Sequence, residues 1–391
     1  MRTAHIAIVG AGLSGLYAAF LLEQRGIRDY VLLEARDVPG GRIASASRRP
    51  PHGTTTASRD VDRFDLGPTW FWPHLQPRLD QLIHELGLQR FEQYETGDMM
   101  LERTPDARPV RMRGYATTPA PTRVAGGMTA LTDALCHRLD APRIVTGQTV
   151  RRICSLDAHV ELDSENVADG VTWRVEHVLL AIPPRLAEDL IEFTPPLPTE
   201  LVRQWRRTST WMAPHAKYIA IYDTPFWREH GLSGEARSAR GPLGEIHDAS
   251  MPGGSAALFG FLRILARVRE KVPDDVLRAH CRAQLVRLFG AKAATPVFDV
   301  VKDWARDPFT ATAADLDDNG HHAEAPAATA SSGPWHRRLT GIASEWSRQF
   351  PGYVAGAIEA ASRGVQALPE SGERESGVGI APPLRARPTN G

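Results

Sequence analysis

The feature that most constrains the fold is a run of spaced glycines, Gly10-Ala11-Gly12-Leu13-Ser14-Gly15. It stands between an apolar stretch at residues 4–9 and a segment of helical periodicity at 13–25, and a second apolar run follows at 30–33. This order reads as strand, turn, helix and strand. In such a unit the first glycine permits a tight turn, the second lets the backbone approach a pyrophosphate, and the third lets helix and strand pack closely. The helix N-terminus then faces the phosphates. Glycines between a strand and a helix can also serve packing alone. Here Glu34 ends the second strand, about 20 residues after the glycines, where a carboxylate can accept hydrogen bonds from the two hydroxyls of a ribose. The sequence therefore predicts an α/β protein built on a Rossmann-type dinucleotide-binding domain.

A second loop separates the candidate dinucleotides. Glu34-Ala35-Arg36 leads to Gly40-Gly41-Arg42, where two glycines allow close backbone approach and an arginine can pair with a diphosphate. An NAD enzyme has no need of this second phosphate-directed loop, so FAD is the expected cofactor.

At 391 residues the chain is long enough for two interleaved domains. The expected division is an FAD-binding domain from 1–75, 125–195 and 335–368, and a mixed-sheet α+β substrate domain from 76–124 and 196–334. Residues 369–391 have the composition of a disordered tail. Helices are predicted over 77–88, 128–139, 273–289 and 352–368. Residues 143–153 and 171–182 read as strands returning to the first sheet, and 217–222 and 256–262 as strands of the second. Residues 48–59 form a loop, and 310–334 carry no periodicity, leaving lid and slack chain both open.

Charge narrows the partners. Lys+Arg and Asp+Glu both number 46, so no long-range field draws the chain to nucleic acid or an anionic membrane. A small-molecule substrate is expected. The apolar N-terminal run is broken by Gly10, Gly12 and Gly15 and reads as part of the fold rather than as a signal peptide. No stretch reaches the ~20 apolar residues that span a bilayer. Cys136, Cys154 and Cys281 make neither a metal pattern nor an even disulfide set, which suits a reducing, cytoplasmic setting. The histidines show no metal-binding spacing, His321-His322 included, so no metal is expected. A GxSxG hydrolase elbow is missing too.

Further along, Asp65-Leu66-Gly67-Pro68-Thr69-Trp70 and the pair Gly341-Ile342-Ala343-Ser344-Glu345 and Gly352-Tyr353-Val354-Ala355-Gly356-Ala357 join the opening motifs in order. Together they resemble the flavin-containing amine oxidase family, which includes monoamine and polyamine oxidases. The resemblance implies that Gly67, Pro68, Thr69 and Trp70 run beside the isoalloxazine ring and that Val150 meets the adenine. It adds Trp304, Ser344, Glu345, Tyr353 and Val354 to the cofactor contacts already read at Gly10, Gly12, Ser14, Gly15, Glu34, Ala35, Arg36, Gly41 and Arg42. Ala343 departs from the family's usual glycine, and would crowd a phosphate if the backbone there needed positive φ.

Oxidising an amine with a flavin requires a substrate carbon held against the ring in a water-excluding pocket, and aromatic walls suit that need. Trp70, Trp72, Trp304, Phe350 and Tyr353 are the aromatic candidates, although aromatics in a chain this long also build core. By resemblance, Tyr353 is one of two rings that sandwich the substrate nitrogen, and Trp70 lines the approach. Counting from Trp304, the second ring position falls at Ala314 and the residue that tethers flavin in some members at Ala313, which implies noncovalent FAD. Lys217 resembles the family lysine that holds a water near the flavin; the plain alternative is a strand-end lysine reaching solvent. Glu245 and Asp248 read as a solvated turn, or else as an anionic wall. The implied reaction is hydride transfer from an amine to flavin N5, with dioxygen as acceptor and hydrogen peroxide as product. An oxygen-independent FAD dehydrogenase or desaturase and a flavin-stabilised binding protein stay open beside it, as does a homodimer.

Overall fold

The computed structural model describes residues 1–47, 62–106, 108–166, 169–317 and 324–369. The predicted loop at 48–59, His321-His322 and the tail beyond 369 lie outside these residues.

Short, mostly apolar strands build the first sheet. Ile6–Val9, Tyr30–Leu33, His177–Leu180, Ile144–Val145 and Leu339–Gly341 pair in parallel in the order 144–145, 30–33, 6–9, 177–180 and 339–341. Ile6–Val9 and Tyr30–Leu33 are buried at every position, as parallel strands covered on both faces must be. One face carries helices Leu13–Gln24, Thr129–Arg138 and Val354–Gln366 around Leu16, Leu131 and Ile358. The other face meets Trp205, Trp335 and Trp346 together with a second sheet.

That second, five-stranded sheet corrects part of the strand reading. Ile144–Val145 joins the parallel sheet, but after Gly147 (φ +66°) the chain enters the second sheet as Thr149–Ser155. Residues 171–182 are likewise split: Gly170–Val175 belongs to the second sheet and His177–Leu180 to the first. The cause is visible in the side chains. Thr149–Ser155 interleaves exposed arginines with buried Val150 and Ile153, a half-buried pattern that suits a sheet with one wet face. His177–Leu180 is apolar throughout its last three residues and fits between two covered faces.

A seven-stranded sheet forms the remaining layer, ordered Phe298–Asp303, Ala216–Tyr222, Ala256–Leu262, Leu243–Asp248, Leu232–Ser238, Asp98–Glu102 and Val110–Met112. Residues 310–317 and 324–334 are tied down rather than slack. Thr310 is fully buried, and the Ala327 carbonyl accepts bonds from the indole N–H groups of Trp205 and Trp346 at 3.0 and 3.2 Å.

Candidate active site

At the C-terminal ends of the parallel strands the Gly10–Gly15 turn makes the contacts its glycines permit. Gly10 has φ +101°, and a Cβ there would lie 2.7 Å from Ile182 Cγ2. A Cβ on Gly15 would stand 2.0 Å from the Gly10 carbonyl oxygen. The second glycine loop lies against the first. Gly40 N–H donates to the Ala11 carbonyl at 2.8 Å, and a Cβ on Gly41 would come within 3.1 Å of Gly12 Cα.

Glu34 is almost fully buried. Its Oε2 accepts from Ala11 N–H at 2.7 Å and its Oε1 from Arg36 N–H at 2.9 Å, which locks the carboxylate beside the glycine turn. Arg36 donates to Asp307 Oδ1 at 2.5 Å and lies over the Phe309 ring at 5.3 Å. Arg42 reaches across the molecule to grip both Glu345 oxygens, at 2.5 and 3.0 Å, and Ser344 Oγ at 3.2 Å. The two ends of the sequence are thereby joined at the site by a bidentate ion pair.

These groups border a cavity of about 560 Å³, within the roughly 300–1,000 Å³ common for small-molecule sites. Of the residues read from sequence, Gly10, Gly12, Ser14, Glu34, Ala35, Arg36, Gly41 and Arg42 line it, as do Gly67, Pro68, Thr69, Trp70, Val150, Ser344, Tyr353 and Val354. Gly15, Trp304, Glu345 and Lys217 stand behind the lining. Trp304 supports it from below, donating from its indole to the Leu66 carbonyl at 3.1 Å.

Lys217 is 1% exposed and does not reach solvent. Its Nζ donates to the Gly67 carbonyl at 3.0 Å and to Thr69 Oγ1 at 2.5 Å, and lies 4.2 Å from the Phe259 ring centroid. Burial pushes the Lys217 ammonium well below the ordinary lysine range, the Asp65 carboxylate partly opposing that and Arg123 adding to it. Asp65 is raised in turn, by its own burial; its Oδ1 accepts from Met128 N–H at 2.7 Å while Oδ2 has no partner.

Farther along the cavity the wall turns aromatic. Trp211 and Tyr353 lie 5.5 Å apart at 34°, and Trp211 meets His215 edge-on at 5.9 Å. His215 lines the cavity, and its Nε2 is buried with no hydrogen-bond partner. Burial, with Arg269 nearby, lowers its pKa and favours the neutral ring. Opposite, Trp70 donates to Gln93 Oε1 at 2.8 Å and packs on His247 and Phe259. A site that combines a ribose-type carboxylate, a glycine cradle and an aromatic chamber can hold a long cofactor at one end and a small organic substrate at the other.

The sequence matches the profile described as flavin containing amine oxidoreductase over residues 89–369, and that of an NAD(P)-binding Rossmann-like domain over residues 8–86. The chain belongs to the flavin-containing amine oxidoreductase family. Family membership implies a flavin cofactor. Among curated proteins it is 30% identical over 253 residues to one named probable flavin-containing monoamine oxidase A from Dictyostelium discoideum, a match covering 62% of this chain and 52% of that protein. It is 25% identical to flavin-containing amine oxidase B of Sus scrofa over 93% of this chain and 85% of that one. The chain thus spans about half the length of the first of these relatives. A redesigned putrescine oxidase shares the fold with a TM-score of 0.75 at 21% identity, over 93% of this chain and 98% of that one. Cyclohexylamine oxidase from Brevibacterium oxydans does so with 0.73 at 18%, over the same shares.

Several sequence expectations change on this geometry. Asp248 is no solvated turn: it is buried at the end of strand Leu243–Asp248, holding Arg228 bidentately at 2.8 and 2.9 Å and Trp227 Nε1 at 2.8 Å. Glu245 lines the cavity from the same strand, bonded to His247 at 2.6 Å and Arg237 at 2.6 Å. Ala343 is harmless because its φ is −67° and no left-handed backbone is needed there. Ala313 and Ala314 are exposed in the turn Ala313–Asp317 and do not line the cavity. Asp315, buried and bonded to Arg185 at 2.5 Å, pins that turn elsewhere. Phe350 also lies outside the lining, while Trp72 is part of it.

Trp211, Met212, His215, Phe261 and Phe309 line the cavity and were not foreseen. For His215 a signal existed. It lies two residues before Lys217 as the chain enters strand Ala216–Tyr222, and residues two apart on a strand share a face.

Proposed function

We propose that this chain is an FAD-dependent oxidoreductase that oxidises the C–N bond of an amine or an amino-acid-derived small molecule. The observation that carries the reading is the single cavity that runs from Glu34 and the glycine turns, past the Lys217-bound wall of Gly67 and Thr69, to the aromatic pair Trp211 and Tyr353. The cradle fits a dinucleotide because Gly10, Gly12, Gly40 and Gly41 line the cavity with bare backbone, which a diphosphate can approach closely. Glu34 would hold the ribose, the Gly10–Gly15 turn and the Gly40-Gly41-Arg42 loop the diphosphate, and Gly67 to Trp70 the ring end. When bound, FAD supplies a two-electron acceptor for the hydride on the carbon next to the amine nitrogen, and dioxygen restores it with release of hydrogen peroxide.

The chain's own residues bind, orient and manage protons. Tyr353 and Trp70, which line the cavity, would orient a neutral amine while excluding water. Lys217, fixed by Gly67 and Thr69, positions a water or relays a proton at its Nζ, and its lowered pKa eases loss of charge. The resulting imine leaves for hydrolysis. Noncovalent attachment is favoured because Cys136, Cys154 and Cys281 are free and none lines the cavity. No helix among the described residues is long and apolar enough to cross a membrane, and the free cysteines suit a cytoplasmic enzyme.

The test is an absorbance spectrum of purified protein before and after acid precipitation, followed by anaerobic addition of an amine panel. Yellow colour released by acid, and bleached in intact protein by one amine, supports the reading. FAD that no amine reduces transfers the assignment to a dehydrogenase of other substrates or a binding protein. Oxygen uptake then separates oxidase from dehydrogenase.

A further inference from the structure

The opposite, N-terminal end of the parallel sheet carries a second cluster. His5 precedes the strand Ile6–Val9, and His177 opens the neighbouring parallel strand, where it pairs with Ile6. The His5 carbonyl accepts from Glu176 N–H at 2.9 Å and from His177 N–H at 3.3 Å, so backbone pairing fixes the three residues together. A ring nitrogen of each histidine and a carboxylate oxygen of Glu176 all lie within 4.8 Å of one another. The two imidazoles stand almost perpendicular, at 81° with centroids 5.5 Å apart. His5 Nδ1 and Glu176 Oε2 are 3.4 Å apart, wider than a good hydrogen bond. It equals the edge, about 3.4 Å, of a tetrahedron whose arms have the 2.0–2.2 Å lengths of zinc–nitrogen and zinc–oxygen bonds.

The turn that leads into strand Leu339–Gly341 adds a second feature. Arg337 has φ +59° and is the one non-glycine residue with positive φ among those described. L side chains rarely adopt this backbone conformation. Its carbonyl accepts from His177 Nδ1 at 2.9 Å. The carbonyl can only accept, so Nδ1 carries the proton and the lone pair is left on Nε2. A backbone carbonyl behind a histidine is the usual support of a metal-bound imidazole. The Arg338 guanidinium, the nearest large cation in sequence, is bonded to the carbonyls of Leu156, Asp157 and His159. Glu176 is mostly exposed while both histidines are half-buried, so the cluster can be reached from solvent.

We propose that His5, Glu176 and His177 form a binding site for one divalent transition ion of the zinc class, remote from the cavity, that clamps the N-terminal ends of two adjacent strands. Two imidazoles and a carboxylate suit such ions. Spacing in the sequence hides the site, since its ligands are brought together only by parallel strand pairing. Because strand pairing brings the three ligands together only in the folded chain, the ion binds that state more tightly and stabilises the fold by mass action.

Full-length protein retaining its flavin, stripped with EDTA and desalted, is titrated with zinc chloride by calorimetry and with Co²⁺ by visible absorption. The expected result is a strongest site of one ion per chain, a higher melting temperature in zinc, and tetrahedral Co²⁺ bands. His5→Ala and His177→Ala should each weaken that site at least about tenfold and abolish the bands, as removing first ligands exceeds the 10–100-fold losses of their supports. Flavin absorbance and circular dichroism confirm that the variants are folded, with His5→Asn and His177→Gln as milder replacements. The chain holds 14 histidines, so unchanged stoichiometry and affinity in the double variant would assign the binding elsewhere and overturn the proposal. Absence of zinc binding by the parent protein at micromolar concentrations overturns it equally. Neither readout depends on amine oxidation.

Discussion

The two ends of the cavity are made in different ways. At the cofactor end main chain takes part in each contact: Gly15 against the Gly10 carbonyl, Gly41 against Gly12, and the Glu34 carboxylate held by the N–H groups of Ala11 and Arg36. At the aromatic end the wall is made of side chains from three separate segments, Trp70, Trp211 with His215, and Tyr353, and one buried nitrogen there is unpartnered. A backbone cradle has little freedom to change, because a single methyl group meets main chain that is unable to retreat. A side-chain chamber can be repacked at modest expense. The cofactor end should therefore be intolerant of substitution and the chamber tolerant, with the consequences of change there falling on substrate choice rather than on folding.

The strongest way to break this contrast is Gly15→Val. Its Cβ alone would lie 2.0 Å from a carbonyl oxygen, and the two further methyls add overpacking worth 1–3 kcal/mol or more. Loss of nearly all bound flavin and a fall in melting temperature are expected, measured by the ratio of flavin to protein absorbance and by calorimetry. Trp211→Phe, at the other end, should keep flavin occupancy near that of the parent. Equal flavin retention in the two variants would dissolve the distinction between the ends.

Lys217→Met probes the seam between them. Flavin should remain bound while the reductive or oxidative half-reaction slows by roughly 10²-fold or more, the scale of lost proton management. Stopped-flow absorbance resolves the two halves, and unchanged rates in both would remove Lys217 from the mechanism. Glu34→Gln is gentler. It keeps the size of the side chain but gives up charge-assisted hydrogen bonds worth about 1.5–3 kcal/mol, so FAD affinity should fall about 10- to 100-fold with the fold intact, as read by flavin titration of apoprotein.

The same contrast explains which parts were legible in the sequence. Glycine is the one residue whose identity directly records a close backbone approach, so Gly10, Gly12, Gly15, Gly40 and Gly41 announced the cofactor end. Gly356 did the same near the C-terminus, where a Cβ would stand 2.0 Å from the Phe350 carbonyl. The chamber left no such record. Trp211 and His215 are ordinary residue types whose importance comes from where strand Ala216–Tyr222 lies in the seven-stranded sheet. Glu245 and Asp248 misled for a related reason. Their polar surroundings in the sequence suggest a turn, yet the strand that carries them pairs with the apolar run Ala256–Leu262, and Arg228 and Trp227 satisfy the buried carboxylate of Asp248. Sheet pairing, too, decided that Thr149–Ser155 left the parallel sheet, because one wet face and one dry face match an antiparallel partner.

The smallest expected effect lies at His215. Its folded pKa is depressed by burial and by Arg269, below the ordinary value of about 6.5. The unfolded chain therefore binds more protons than the folded one in the interval between the two values. Stability from the neutral imidazole is fully present above the ordinary value and is lost as pH falls through the depressed one. His215→Phe removes this dependence, so the difference in urea stability between variant and parent should grow toward acid, in favour of the variant, and level off above neutrality. The same variant should alter KM for polar amines more than kcat, because the His215 ring lines the chamber while Lys217 and the cofactor cradle are untouched. A pH-independent stability difference would mean that His215 titrates as it does in the unfolded chain. The chamber wall would then be as wet there as the exposed surface, and water exclusion at the substrate end would have to come from the aromatic rings alone.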